Sequence, residues 1–154
     1  MSFHPSGFHI IVGFTDRIRM MNVFSRSLKS FKDIPIKQCR EIRFSTGGHL
    51  FACVNQHSIQ VYHFYTGENP PDLIFKAHMG KVRCISWFED DSGFVSAGWD
   101  GKIFTWDIMD NSKTESEFKL KGTNFSSVVK VPDKKTIYEV GTDKCLREIS
   151  YEAQ

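Results

Sequence analysis

His78, Ser96 and Asp100 are the three side-chain types that together can activate a hydroxyl nucleophile. A carboxylate orients an imidazole, the imidazole takes a proton, and the freed oxygen attacks a carbonyl. Ester or amide hydrolysis is the chemistry such a set could perform. The surrounding sequence argues against it, because the run Phe94-Val95-Ser96-Ala97-Gly98 is neither a Gly-x-Ser-x-Gly elbow nor an oxyanion loop. Trp106 also stands where its indole N–H can donate to the serine oxygen. The hydroxyl then meets one ring nitrogen of His78, and Asp100 takes the other. The four residues read as a structural tetrad, with a charge-assisted link worth about 1.5–3 kcal/mol in a partly dry site. No catalytic residue and no cofactor is expected. The six histidines, His4, His9, His49, His57, His63 and His78, lie in scattered turns and strands rather than at ligand spacing, so no metal is expected either.

The elements that must position the tetrad lie in the stretch from Ala77 to Asp107. It runs from His78 through an apolar segment Val82 to Trp87, a polar turn Asp90 to Gly93, a second segment Phe94 to Gly98, a tight turn at Asp100-Gly101, and a third segment Ile103 to Trp106. That is strand, turn, strand, turn, strand. Stretch and tetrad together resemble one blade of a WD40 propeller. The resemblance is strong evidence for a fold and weak evidence for any chemistry.

The pattern recurs. Ile18, Ile59, Ile103 and Leu146 begin the third strand of successive copies and are separated by 41, 44 and 43 residues, within the range of propeller blades. The fold expected is all-β, a WD40 propeller fragment of about three and a half four-stranded antiparallel blades. Its divisions are a truncated blade over 1–24, blades over 25–65 and 66–109, and a last blade over 110–154. The first copy is expected to lack its outer strand and most of its inner strand, as if the chain began inside a blade of a longer protein. The second has an outer strand near Leu28 to Ile34, then Arg40 to Phe44, Leu50 to Val54 and Ser58 to Phe64. Ala52, Gln56 and Tyr62 replace its Ser, Asp and Trp. The third has its outer strand around Leu73 to Lys76, taken to fold onto the hairpin that carries the tetrad. The fourth runs from an outer strand near Glu117 to Lys121 through Phe125 to Val131, Thr136 to Gly141 and Cys145 to Ser150. It keeps Asp143 but has Glu139 and Ile149 at the Ser and Trp positions. Runs such as HIIVGF and LFACV are apolar on both faces, which suits sheets packed between two neighbours.

Composition is consistent with this. The net charge of +2 over 154 residues argues for neither nucleic acid nor an anionic membrane as a partner. The apolar run Phe8 to Phe14 is far too short to span a bilayer. Cys39, Cys53, Cys84 and Cys145 share no metal spacing and read as reduced core residues of an intracellular protein. The 14 phenylalanines are expected to fill the space between blades.

The strings HPSGFHIIVGFTDRIRMMN, FSTGGHLFACVN and TIYEVGTDKCLREIS resemble a family of cilia- and flagella-associated WD-repeat proteins of the axoneme. The resemblance implies cytoplasmic and cytoskeletal localisation on ciliary microtubules. It also implies a non-enzymatic scaffold that assembles or regulates inner dynein arms, with inner dynein arm components and microtubule-associated proteins as partners. The other reading is a soluble WD40 adaptor, such as a substrate receptor of a ubiquitin ligase.

Candidate partner-binding residues are Trp99, beside Asp100 in a tight turn, and Lys37, Arg40 and Arg43. Exposed tryptophan is enriched in binding hot spots, although Trp99 could equally lie flat over a neighbouring blade. The three cations belong to a basic run from Arg26 to Arg43 with a local charge of +4, which would attract an acidic partner such as a tubulin tail. A solvated outer strand that discourages edge pairing explains the same charges. Because both ends of an incomplete arc would present apolar faces, the isolated chain is expected to self-associate, in head-to-tail order.

Overall fold

Each strand of the chain pairs antiparallel with the strand that follows it across a turn, and each run of such pairings closes off a separate sheet. The computed structural model describes residues 1–110, 112–115 and 122–150. The first sheet orders β1 (Ser2–Phe3), β2 (His9–Gly13), β3 (Ile18–Phe24) and β4 (Ser27–Ile34). The second orders β5 (Ile42–Phe44), β6 (Leu50–Asn55), β7 (Ser58–His63) and β8 (Ile74–Lys76), with a single 3-10 turn at Pro71–Leu73 before β8. The third orders β9 (Val82–Trp87), β10 (Gly93–Gly98), β11 (Ile103–Asp107) and β12 (Ser112–Glu115). The fourth has β13 (Phe125–Lys130), β14 (Thr136–Gly141) and β15 (Leu146–Ser150). The chain is thus all-β, built of propeller-like sheets. Among the described residues no helix is long and apolar enough to cross a membrane.

The hydrogen bonds correct the expected division into blades. Each outer strand belongs to the sheet formed by the three strands before it, so β4 pairs with β3 and β8 with β7. For β4 the cause is the link. Only Ser25 and Arg26 separate it from β3, and a two-residue connection between extended segments closes an antiparallel hairpin. The first sheet therefore has an outer strand and a short inner strand, where the sequence led us to expect both to be largely missing. The strand before His78 lies on the second sheet, not on the tetrad's own hairpin. The strand expected at Glu117 to Lys121 lies outside the described residues; the strand that pairs with β11 is β12.

Neighbouring sheets pack face to face. Ile11, Ile18 and Met20 of the first sheet meet Phe44, Phe51, Cys53 and Tyr62 of the second. Leu50, Val61 and Phe75 of the second meet Ile85, Phe94, Phe104 and Trp106 of the third. Val95, Ala97 and Ile103 on the third sheet's other face meet Phe125, Val128 and Ile137 of the fourth. Burying one such large side chain contributes about 1.5–3 kcal/mol. Polar clasps add registry: Asp91, on the turn before β10, accepts from the backbone N–H of Thr46 at 2.6 Å and of Gly47 at 2.8 Å.

Two compositional expectations need correction. Cys39, Cys53 and Cys84 are buried, but Cys145 is exposed in the turn before β15, where no described residue covers it. Phe44, Phe51, Phe64, Phe75, Phe94, Phe104 and Phe125 fill the spaces between sheets. Phe3, Phe8, Phe14, Phe24 and Phe31 are exposed on or beside the first sheet, which has a neighbour on one side. The fourth sheet repeats this. Tyr138, Val140 and Leu146 are 39%, 38% and 70% exposed, whereas Val95, Ala97 and Ile103, which hold the same positions in the third sheet, are fully covered.

Gly13, the last residue of β2, lies against the link that leads into the second sheet. A Cβ there would be driven into the Cys39 carbonyl oxygen, well inside van der Waals contact. Because the obstacle is backbone, Gly13→Ala is expected to cost about 1–3 kcal/mol or more. Gly13→Ala and wild type compared in urea unfolding test this; equal midpoints would show that the link yields freely.

Candidate functional site

The tetrad is assembled from two strands, the turn between them and the preceding link. His78 sits in the link between β8 and β9, Ser96 on β10, Asp100 in the turn after β10, and Trp106 on β11. Asp100 Oδ2 lies 2.9 Å and Oδ1 3.1 Å from His78 Nδ1, and His78 Nε2 lies 2.8 Å from Ser96 Oγ. Trp106 Nε1 donates to the same Ser96 oxygen at 2.8 Å. The assignment that uses every donor places the imidazole proton on Nδ1 facing Asp100. Nε2 then accepts from the Ser96 hydroxyl. Asp100 also accepts from the backbone N–H of Met79 at 2.9 Å and of Lys102 at 3.3 Å, so it ties the link to its own turn. Burial alone would raise its pKa. The His78 hydrogen bond, with the two backbone donors, outweighs burial and holds it at about 2.

Close packing fixes this chain of bonds. The His78 ring meets Phe104 edge-on at 4.7 Å, and Phe75, on β8 of the neighbouring sheet, packs against Trp106 at 5.2 Å. Gly98 leaves the room: a Cβ there would stand 2.7 Å from His78 Nδ1 and 2.8 Å from Asp100 Oδ1. The Asp-His-Ser geometry is that of a hydrolytic triad, but Ser96 is 0% exposed and its oxygen is already bound by the indole. No substrate carbonyl reaches it.

The other sheets solve the same positions differently. In the second, Ala52 offers no hydroxyl, and Tyr62 stacks on Phe51 at 5.3 Å with its hydroxyl donating to Gln60 at 3.1 Å. Burial, and then the nearby Cys53 and Cys39 thiols, push the Tyr62 phenol up to about 12. Without a carboxylate to collect backbone donors, the ladder runs on to Asn55↔Ser58, and Gln56 turns the chain at φ 57°. In the fourth sheet Glu139 is fully buried and accepts from Arg147 at 2.8 Å, while Arg147 also pairs with Asp143. Ile149, at the Trp position, joins the apolar packing against the third sheet. The Arg147 role was missed in the sequence. Its signal was there, since Glu139 and Arg147 stand opposite each other across the β14–β15 hairpin.

The candidate partner-binding residues divide between two places. Lys37 and Arg40, in the link before β5, line a cleft of about 500 Å³ between the second and third sheets. Lys81, at the end of the link, and Arg83, on β9, which sequence reasoning passed over, line it too. Their cationic groups lie 5.4 Å and 5.1 Å from the ring centroid of Trp99, which is 44% exposed. Arg43 is elsewhere: it pairs with Glu41 at 3.0 Å and lines a separate cavity with Cys84, Trp87 and Val128. Arg26 and Lys29 stand on the outer hairpin, and Lys32 donates to the Thr66 carbonyl at 2.7 Å. The basic run is therefore not one patch, because the chain crosses from outer strand to inner strand within it. Among the described residues no three of His, Cys, Asp and Glu converge as a metal-binding set.

Asp100→Ala is expected to cost about 2–4 kcal/mol, since it strips partners from His78, Met79 and Lys102. Gln56→Ala, at an exposed turn, is expected to cost under about 1 kcal/mol. Urea unfolding of both variants ranks them, and equal losses would refute the ranking. The folded pKa of Asp100 lies below the ordinary carboxylate value near 3.9, so its stabilisation is complete above about pH 4 and fades as pH falls towards 2. The stability gap between wild type and Asp100→Asn is expected to narrow over that interval; a gap that widens would contradict the assignment.

Comparison with known proteins follows the same geometry. The family model described as "WD domain, G-beta repeat" matches residues 70–107, the stretch that holds all four tetrad residues. The chain is 52% identical over 117 residues, 76% of its length, to cilia- and flagella-associated protein 57 A of Tetrahymena thermophila. It is 43% identical over 150 residues, 97% of its length, to cilia- and flagella-associated protein 57 of Mus musculus, and 27% identical over 113 residues, 71% of its length, to WD repeat-containing protein 1 of Gallus gallus. It spans 9%, 12% and 19% of the lengths of these three relatives. Repeat, sheets and polar network agree with the matched model, and the chain belongs to the WD40-repeat family.

Proposed function

We propose that the chain is a non-enzymatic protein–protein interaction scaffold of the cilium or flagellum. In this reading it sits on the axoneme within the cytoskeleton, and its partners are inner dynein arm components and microtubule-associated proteins. The observation that carries the reading is the 43% identity to the mouse cilia- and flagella-associated protein along 97% of the chain. The closed tetrad is in keeping with it, since the arrangement that could have done chemistry is spent on holding two sheets together. A fluorescent tag on the protein in a ciliated cell is expected to label the axoneme and to stay there after detergent extraction. Its loss is expected to weaken motility and deplete inner dynein arms. A diffuse cytoplasmic signal with co-purification of ubiquitin ligase subunits would overturn the reading in favour of a soluble adaptor.

The two uncovered sheet faces belong to the same proposal. Tyr138, Val140 and Leu146 repeat positions that elsewhere are buried by another sheet, so another sheet is the surface that fits them. For the isolated chain that sheet is the first sheet of a second copy, in head-to-tail order, which keeps the succession of sheets. Light scattering is expected to give a multiple of 17.7 kDa. A clean monomer that binds no hydrophobic dye would exclude it.

A further inference from the structure

The cleft between the second and third sheets holds more positive charge than its surroundings neutralise. Lys37, Arg40, Lys81 and Arg83 line it and are all exposed, and among the described residues none of them has a carboxylate within ion-pair distance. Four arginines elsewhere do: Arg17 and Arg19 pair with Asp33, Arg43 with Glu41, and Arg147 with Glu139. The one carboxylate in the cleft wall, Glu41, is already committed. Its Oε1 accepts from Arg43 at 3.0 Å and from the Ile85 backbone N–H at 3.3 Å. Four cations thus line one concavity whose single carboxylate is already bound to a fifth, Arg43, and such a concavity focuses the field on an anionic ligand.

Trp99 adds a second kind of contact. Lys81 and Arg83 lie over its ring at cation–π distance, and its own backbone N–H donates to the Lys81 carbonyl at 3.0 Å. The indole is held in orientation beside the charges while 44% of it remains exposed. Two arginines offer carboxylates paired donors, the lysines offer point charges, and the ring, beside the lining residues Lys81 and Arg83, offers an apolar surface.

We propose that this cleft docks an acidic peptide segment of a partner protein, with carboxylates among Lys37, Arg40, Lys81 and Arg83 and an apolar side chain against Trp99. A peptide is favoured over nucleic acid because the charge ends with the cleft. Arg26 and Lys29 stand on the outer hairpin, Arg43 faces another cavity, and the whole chain carries only +2, so no basic stripe tracks a phosphate backbone. The proposal rests on the scaffold reading and names the class of partner. It does not depend on where in the cell the chain works.

The test uses the full chain and a fluorescein-labelled oligoglutamate peptide containing one phenylalanine, read by anisotropy and by tryptophan emission. The peptide is expected to bind, to quench the emission, and to be released by salt. Lys81→Glu and Arg83→Glu are each expected to weaken it about tenfold or more, while Arg26→Glu on the outer hairpin leaves it unchanged. Trp99→Ala is expected to reduce affinity to that of a peptide without phenylalanine. Should a strand variant melt early, Lys37→Glu in the exposed link carries the same expectation. No binding, equal binding by Lys37→Glu and wild type, or tighter binding of an oligothymidylate of equal charge would overturn the proposal. Those outcomes leave the axonemal reading standing, and a tagged protein absent from the axoneme leaves peptide binding standing.

Discussion

The outer strand of each repeat hydrogen-bonds to the sheet of the repeat before it, and the packing of successive sheets depends on that offset. A sheet with two apolar faces needs a neighbour on each side, and an extended chain between two such sheets would otherwise be free to separate them. By placing β4 on the first sheet and β8 on the second, the chain makes each link short and gives it two anchored ends. The links can then bury some of their own side chains. Ile36 and Cys39, between β4 and β5, are core residues although they belong to no strand. His78, between β8 and β9, reaches the tetrad from a link held in the same way.

Against this common frame the sheets differ in how they treat one recurring problem, the polar turn between the second and third strands. The third sheet meets it with Asp100, which gathers a ring N–H and two backbone N–H groups. The second sheet removes the carboxylate, tightens the turn to two residues and stacks Tyr62 on Phe51. The fourth buries Glu139 against Arg147, and Thr123 fills the space beside Gly141 that His78 fills beside Gly98. A buried carboxylate with a single charged partner is a costlier solution than a neutral hydroxyl that accepts from Trp106 and donates to His78. It leaves one Glu139 oxygen, Oε2, with no hydrogen-bond partner in the described structure.

The sequence made the strands and the tetrad legible because both rest on local information. Strand ends are marked by turn residues, and His78, Ser96, Asp100 and Trp106 lie at spacings that one hairpin and its preceding link can satisfy. It misassigned what is decided between segments. Which sheet receives Ser27–Ile34 is a matter of turn length competing with repeat register, and only the hydrogen bonds show the outcome. The basic run from Arg26 to Arg43 looks continuous along the chain, yet it is split by the passage from outer to inner strand. Lys37 and Arg40 end beside Lys81 and Arg83, some forty residues on. Cys145 and the phenylalanines of the first sheet have the apolar types that suit a core. Burial depends on a neighbouring surface, and residue type does not report whether one is present.

The strand offset also sets how the chain carries load. Tension applied along it cannot pull neighbouring repeats apart without first stripping an outer strand from its sheet, so each junction is a ladder of hydrogen bonds in series with the next. Among the described residues the ladders are unequal: β3 and β4 share seven register pairs, β11 and β12 four, and β7 and β8 only three. The junction at Ile74–Lys76 is therefore the compliant one, and Lys76 leads directly into the link that carries His78. Strain that draws β8 away pulls next on the histidine, where the bonds to Asp100 and Ser96 take up the force that the short ladder cannot hold.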